Sequence, residues 1–244
     1  MRRVIVTGGS RGLGLGIAQK LKTTGYQVIA IARKETQQLT FAMQEVSPDG
    51  AGSIHFVPFD LSEIDKIPQL TADLRKQFGS VYGLVNNAGL GTDGVLALMH
   101  NSQIEQLVRL NTLSPIILTK YVVRSMVADG GGRVVNIASI IASTGYSGLS
   151  VYAATKASML GLTRSLAREV GKMGVNVNAV APGFVDTEMT QGLMTEKRDQ
   201  IIRRSALRRL TDIGDVASAV EFLLSDGAKN VTGTVLTVDA GSTA

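Results

Sequence analysis

With 244 residues, no cysteine and only two histidines, His55 and His100, the chain has no disulfide or thiolate metal site and little from which to build a histidine-based metal centre or triad. Its formal charge of +5 suggests nucleic acid, yet aromatics are 5% of residues and the basic side chains are scattered apart from Arg203, Arg204, Arg208 and Arg209, so neither a stacking platform nor a recognition motif is in view. No metal, nucleic-acid or membrane partner is therefore expected, since no apolar run approaches a membrane span and the charge favours anionic small molecules or acidic partners.

The apolar stretch 3–6 is predicted as the first strand. It is followed at once by Thr7-Gly-Gly, too soon for the core of a signal peptide, so a cytoplasmic protein is expected. A helix over 13–24 comes next, then a strand over 27–32 whose run Val28-Ile-Ala-Ile-Ala32 suits burial on both faces. A helix over 37–46, a strand over 54–58, a helix over 67–78 and a strand over 83–86 continue the alternation; His55, inside an apolar strand pattern, reads as structural. The fourth helix is predicted over 102–128, with a local bend or break at Pro115, which has no N–H and collides with the preceding turn. A strand over 133–138, a helix over 151–173, a strand over 176–181, a helix over 213–224 and a strand over 235–238 complete the pattern. No linker, low-complexity run or repeat divides it, so residues 1–244 are read as one domain. Alternation of this kind gives an α/β fold: a single-domain, Rossmann-type, doubly wound parallel sheet of about seven strands with helices on both faces and right-handed crossovers.

Ligands of such sheets bind beyond the carboxyl ends of the strands, and the chemistry-bearing residues all fall there. The loop Thr7-Gly-Gly-Ser-Arg-Gly-Leu-Gly14 joins the first strand to the first helix, where glycines let N–H groups approach a pyrophosphate and the helix dipole favours an anion. Its Gly-x-x-x-Gly-x-Gly spacing differs from the usual dinucleotide fingerprint. The second strand ends Ile31-Ala32-Arg33-Lys34, with no acid to grip a ribose 2′-hydroxyl; Arg33, with Arg11, instead suits a 2′-phosphate, which points to NADPH over NADH. Asp60-Leu-Ser62 follows the third strand and reads either as an adenine contact or as a helix N-cap. Tyr152 and Lys156 are i and i+4 on one helix face, where an ammonium would lower a phenol's pKa, and Ser139 is placed to hold a carbonyl oxygen.

Taken together, 7–14, Asn86-Asn-Ala-Gly89, Asn111, Ser139, Tyr152-Ala-Ala-Thr-Lys156, Pro182-Gly183 with Thr187, and the tail 233–241 strongly resemble the short-chain dehydrogenase/reductase family. The resemblance implies a catalytic tetrad. Tyr152 would give a proton to a carbonyl oxygen, Ser139 would polarise it, Lys156 would bind the nicotinamide ribose and lower the tyrosine pKa, and Asn111 would hold a relay water. It also implies cofactor contacts from Gly8, Ser10, Arg11, Gly12, Leu13, Gly14, Arg33, Asp60, Leu61, Asn87, Ala88, Gly89, Tyr152, Lys156, Pro182, Gly183, Val185 and Thr187, and a homotetramer built on the two long helices and the last strand. Within the family the likeness is greatest to the 3-oxoacyl-(acyl-carrier-protein) reductases, through 165–170 and 179–189. Those enzymes carry a basic cluster before the fifth strand, where this chain has Asp129-Gly-Gly-Gly-Arg133. Arg203, Arg204, Arg208 and Arg209 are read as a partial substitute for docking acyl carrier protein, on a substrate-covering segment of about 186–210. A reductase of a 3-oxoacyl thioester, carrier- or CoA-bound, is the leading expectation. An enzyme of a free alcohol or ketone, or a non-catalytic NADP-binding scaffold, stands as the alternative.

Overall fold

The computed structural model describes residues 1–46, 52–92, 94–185 and 195–244, with side chains in the last stretch from 198 onward. Seven parallel strands form one sheet: β1 (Arg3–Thr7), β2 (Gln27–Ala32), β3 (Ser53–Pro58), β4 (Gly83–Asn86), β5 (Gly132–Ile137), β6 (Val175–Pro182) and β7 (Val235–Val238), in the order β3-β2-β1-β4-β5-β6-β7. The expected strands are all present, each within about a residue. Alternation along β1 shows why both faces must be covered. Val4 and Val6 enter one core with Leu15, Ile17 and Val216, whereas Ile5 enters the other with Leu70, Leu118 and Val122. Each of these residues is buried, and dry β-branched strands of this kind are the pattern of a sheet sandwiched between helical layers.

The helices are α1 (Gly12–Thr23), α2 (Gln37–Gln44), α3 (Ile67–Phe78), α4 (Asn101–Val108), α5 (Ser114–Ala128), α6 (Ile141–Thr144), α7 (Ser150–Val170), α8 (Thr195–Arg204) and α9 (Ile213–Leu224). Among the described residues none is long and apolar enough to cross a membrane. The predicted helix 102–128 is corrected: α4 and α5 are separated by a π-helical turn, Arg109–Leu113, in which Ser114 N–H reaches back to Arg109 O. Pro115 thus lies in the first turn of α5, directly after the π turn, and its missing N–H leaves the Asn111 carbonyl, four residues back, without that helical donor. The widened turn just before it absorbs the clash. His55 is structural, its Nε2 lying 3.0 Å from Gln27 Nε2 and 3.1 Å from Ser53 Oγ.

The order reverses between β1 and β4, so the connections diverge there and open a crevice at the carboxyl edge. Thr7 and Asn86, the last residues of these two strands, stand at its floor.

Candidate active site

The loop after β1 is shaped by a backbone approach that only glycine permits. A Cβ on Gly14 would lie 2.1 Å from the carbonyl oxygen of Gly8 and 2.5 Å from Asn87 Nδ2. Thr7 ties this loop to the one after β4: its hydroxyl donates to Val85 O (3.2 Å) and accepts from the N–H groups of Asn87 and Ala88 (2.9 Å each). Asn87 Nδ2 adds a bond to Thr7 O at 2.9 Å. Arg11, at the N-cap of α1, is extended and contributes no side-chain cap, and the first turn of α1 holds no acid. The N–H groups of Gly12, Leu13 and Gly14 are therefore presented to an incoming anion rather than to the protein's own carboxylate. Ser10 is buried and its carbonyl accepts from the Thr36 hydroxyl, which also caps α2.

Arg33 and Lys34 are exposed at the end of β2. Asp60, beyond β3, is not a helix cap. It folds an Asx turn, accepting from Ser62 N (2.9 Å) and Ser62 Oγ (2.7 Å). The Ser62 N–H holds its carboxyl below the ordinary value, with a smaller contribution from the Arg33 charge, which places Arg33 and Asp60 in one electrostatic neighbourhood. Leu61 is buried beside them. These groups fit a dinucleotide phosphate: uncapped helix donors, a loop whose glycine permits a close backbone approach, and guanidinium groups at the far rim.

A second cluster lies across the crevice. Ser139 follows β5, its Oγ accepting from Ile141 N–H at 3.3 Å. Tyr152 and Lys156 lie on α7, with Lys156 Nζ 5.8 Å from the Tyr152 ring centroid. Lys156 is 6% exposed and donates to Ile137 O at 2.9 Å, and burial lowers its pKa to about 8. Tyr152 departs from expectation. Burial raises its pKa, and the opposing influence is the Ser139 hydroxyl, not the ammonium. Asn111, 2% exposed in the π turn, clasps Leu90 with both ends of its amide: Oδ1 accepts from Leu90 N and Nδ2 donates to Leu90 O, both at 2.8 Å. Its Nδ2 also donates to Thr155 Oγ1 at 3.2 Å. Gly89 is where the two clusters meet, since a Cβ there would lie 3.2 Å from Asn111 Oδ1 and 3.6 Å from Lys156 Nζ.

At the end of β6, the buried Pro182 accepts from Ile140 N–H (3.0 Å), joining this strand end to the turn of Ser139. Gly183 N donates to Val238 O (2.9 Å), and the buried Val185 bridges to Thr211. Thr187, expected at the nicotinamide, lies outside the described residues, as do Met189, Leu193 and Met194 of the substrate-covering segment. Three hydroxyls that organise the site were missed by sequence reasoning: Thr155, which links Asn111 to Tyr152 O, Thr36 beneath Ser10, and Thr7 as the hub between strands. Thr155 lies inside the Tyr-x-x-x-Lys stretch and Thr36 precedes a helical run, so position alone could have marked both.

Residues 8–243 match a family model described as Enoyl-(Acyl carrier protein) reductase. The chain is 36% identical over 237 residues to 3-oxoacyl-(acyl-carrier-protein) reductase FabG of Salmonella typhimurium, covering 97% of this chain and 95% of that one. A short-chain type dehydrogenase/reductase from Mycobacterium ulcerans superposes with TM-score 0.92 at 31% identity, covering 99% of this chain and 89% of that one.

The chain belongs to the short-chain dehydrogenase/reductase family.

A further member of similar fold is a gluconate 5-dehydrogenase from Burkholderia cenocepacia in complex with NADP and tartrate, with TM-score 0.93 and 27% identity over 99% of this chain and 95% of that one. As a short-chain dehydrogenase/reductase the protein is an NAD(P)-dependent oxidoreductase.

Proposed function

We propose that the protein reduces the ketone of a 3-oxoacyl thioester to the 3-hydroxyacyl product, with NADPH as reductant. The observation that carries this reading is the gathering of Ser139, Tyr152, Lys156 and Asn111 on one side of the crevice, opposite the uncapped N-terminus of α1. The likeness to FabG supports the substrate class.

Leu13 and Gly14 would hold the cofactor pyrophosphate, Arg11 and Arg33 its 2′-phosphate, Asp60 and Leu61 its adenine, and Thr187 its carboxamide. When bound, the cofactor supplies the hydride that reaches the carbonyl carbon. Tyr152, kept protonated by burial, gives its phenolic proton to the carbonyl oxygen. Ser139 Oγ accepts from Ile141 N–H and its hydroxyl hydrogen-bonds the Tyr152 phenol, which sets its proton to polarise the same carbonyl oxygen when substrate is bound. Lys156, lowered to about 8, exchanges protons near neutral pH and restores the phenol. The side chain of Asn111 is engaged with Leu90, so its carbonyl is the better seat for a relay water. Pro115, four residues on, brings no N–H to that oxygen.

The carrier-bound form of the substrate is the finer part of the proposal. Arg133 is half-buried, donating to Asn176 Oδ1 at 3.0 Å and lying 5.8 Å from the Tyr82 ring centroid, while Asp129 pairs with Arg75 at 2.7 Å. That corner offers no basic face. Arg203, Arg204, Arg208 and Arg209 are all exposed around Leu207, itself 62% exposed, and suit an acidic carrier. Charge reversal at Arg203 and Arg204 is expected to raise KM for a carrier-bound substrate and spare a short free ketone; equal effects on both would remove the docking role.

Self-association is part of the same reading. Ala154 and Gly161 on α7 and Leu113 and Ile116 around the start of α5 are exposed, a surface suited to a second copy of this chain.

The deciding experiment follows nicotinamide oxidation with acetoacetyl-CoA, comparing NADPH with NADH and using Tyr152→Phe as control. Tyrosine-dependent oxidation that favours NADPH supports the proposal. Silence despite NADPH binding moves the reading to a free hydroxy compound or ketone, which the likeness to a gluconate dehydrogenase favours.

A further inference from the structure

We infer that Asp239 is a positioning residue that fixes the C-terminal end of α8 beside the proposed substrate site. The inference rests on reading the segment around α8 as substrate-covering. Asp239 lies just past β7 and is 8% exposed. Its Oδ1 accepts from Gly241 N–H at 2.9 Å, and its Oδ2 accepts from Thr243 N–H at 2.9 Å and from the Thr243 hydroxyl at 2.7 Å. Its carbonyl takes Ser242 N–H at 3.1 Å and the Ser242 hydroxyl at 2.8 Å. These acceptors hold a turn that the chain would otherwise resist, because Ala240 is left-handed at φ 55°. A carboxylate suits the task, since it is acceptor-only and all its partners here are N–H or O–H donors of the same turn.

What the turn holds is more informative than how it is held. Ala240 O accepts from Leu207 N–H at 3.0 Å and Gly241 O from Ala206 N–H at 3.3 Å. The approach is close enough that a Cβ on Gly241 would lie 2.6 Å from Ala206 Cβ. Ala206 and Leu207 directly follow α8 and the buried Ser205, whose hydroxyl donates to Ile202 O (3.1 Å) and to Arg209 O (3.0 Å). Arg208 is left-handed too, at φ 53°, so both sides of this contact carry a non-glycine residue in a disfavoured conformation. On the strand side, Val238 O accepts from Gly183 N–H at 2.9 Å and from the Thr211 hydroxyl at 3.3 Å. Asp239 therefore stands between the Pro182-Gly183 turn, proposed to hold cofactor, and the residues that end α8. Among the described residues its hydrogen bonds stay within its own turn, and its effect passes through the main chain of that turn.

Asp239→Asn keeps the shape of the side chain but turns an amide donor toward donors at Thr243 or Gly241. Limited trypsin digestion after Arg203, Arg204, Arg208 and Arg209 is expected to quicken by on the order of tenfold, because cleavage follows local opening. KM for acetoacetyl-CoA should rise by about the same factor with kcat within about twofold, the signature of lost substrate positioning rather than lost chemistry. Melting temperature and NADPH affinity, read from NADPH fluorescence, stay near those of the parent protein. Thr243→Val removes one of the bonds and should shift digestion the same way by less, which keeps the test open if Asp239→Asn folds poorly. Digestion and NADPH binding need no turnover, so a failure with acetoacetyl-CoA in the parent protein tells against the proposed substrate and leaves the digestion result to decide the role of Asp239. Unchanged digestion in both variants, or a parallel loss of melting temperature and NADPH affinity, overturns the inference.

Discussion

Lys156 donates its Nζ to the carbonyl oxygen of Ile137 at 2.9 Å, so the buried ammonium is held by the end of β5 and not by the phenol one turn away on its own helix. Burial takes its pKa from 10.5 to about 8. Because the folded value lies below the unfolded one, the unfolded chain binds the extra proton between those pH values, and stability rises with pH across that window. The gain from about pH 8 to pH 10.5 should be ~3 kcal/mol in the ligand-free protein. Lys156→Met should lack this rise and be more stable than the parent near pH 7 while losing turnover. Urea unfolding of both proteins at a series of pH values measures the difference.

The Ser139 hydroxyl is the group that offsets the burial of Tyr152. Its loss in Ser139→Ala should push the phenol further up. In the alcohol-oxidising direction, where the phenolate is the base, the acid limb of the rate profile is expected to move to higher pH. Turnover itself should fall by about 100-fold or more from the lost polarisation of the carbonyl. A fall in rate with an unmoved limb would separate Ser139 from the titration of Tyr152.

Arg33 is the test of cofactor choice. Arg33→Asp should weaken NADPH binding by on the order of 100-fold and leave NADH nearly unaffected, since only the former carries the phosphate that a guanidinium pairs with. Fluorescence titration with each nucleotide distinguishes this from general damage, which would weaken both.

Gly14→Ala is expected to abolish cofactor binding and lower stability by about 2 kcal/mol or more, because the added methyl meets the Gly8 main chain as well as the Asn87 side chain. Calorimetry alongside nucleotide titration reads both effects.

At Gly161, exposed on α7 with open space around it, alanine should by helix propensity stabilise an isolated chain by ~1 kcal/mol. If α7 packs against a second copy, as proposed, the methyl instead intrudes on the contact. Gly161→Ala is therefore expected to shift the assembly toward smaller species by native mass measurement.

The strands were legible because buried parallel strands are written as short β-branched runs, as in 28–32, whose bounds need no tertiary information. The carboxyl-edge position of the site followed from the same alternation. The interruption at Arg109–Leu113 was not legible in detail, because a proline announces that a helix must give way but not on which side. Two helices also escaped: α6 spans four residues, too few to show a period, and α8 is so polar that Ile201 and Ile202 are its only large apolar side chains. The direction of the Tyr152 shift was hidden for another reason. Spacing places a cation beside a phenol, but burial and the competing carbonyl of Ile137 belong to the assembled fold.

The hydroxyl of Thr7 gives the crevice floor a mechanical property. One small side chain, bonded to Val85, Asn87 and Ala88, stitches the loop after β1 to the loop after β4 where the strand order turns over. The nucleotide-facing half of the sheet is thereby closed on itself before the chain reaches β5. Residues 205–211 belong to the other half, beside the proposed substrate-covering segment, so under the proposed function substitutions there would leave the loops after β1 and β4 in place.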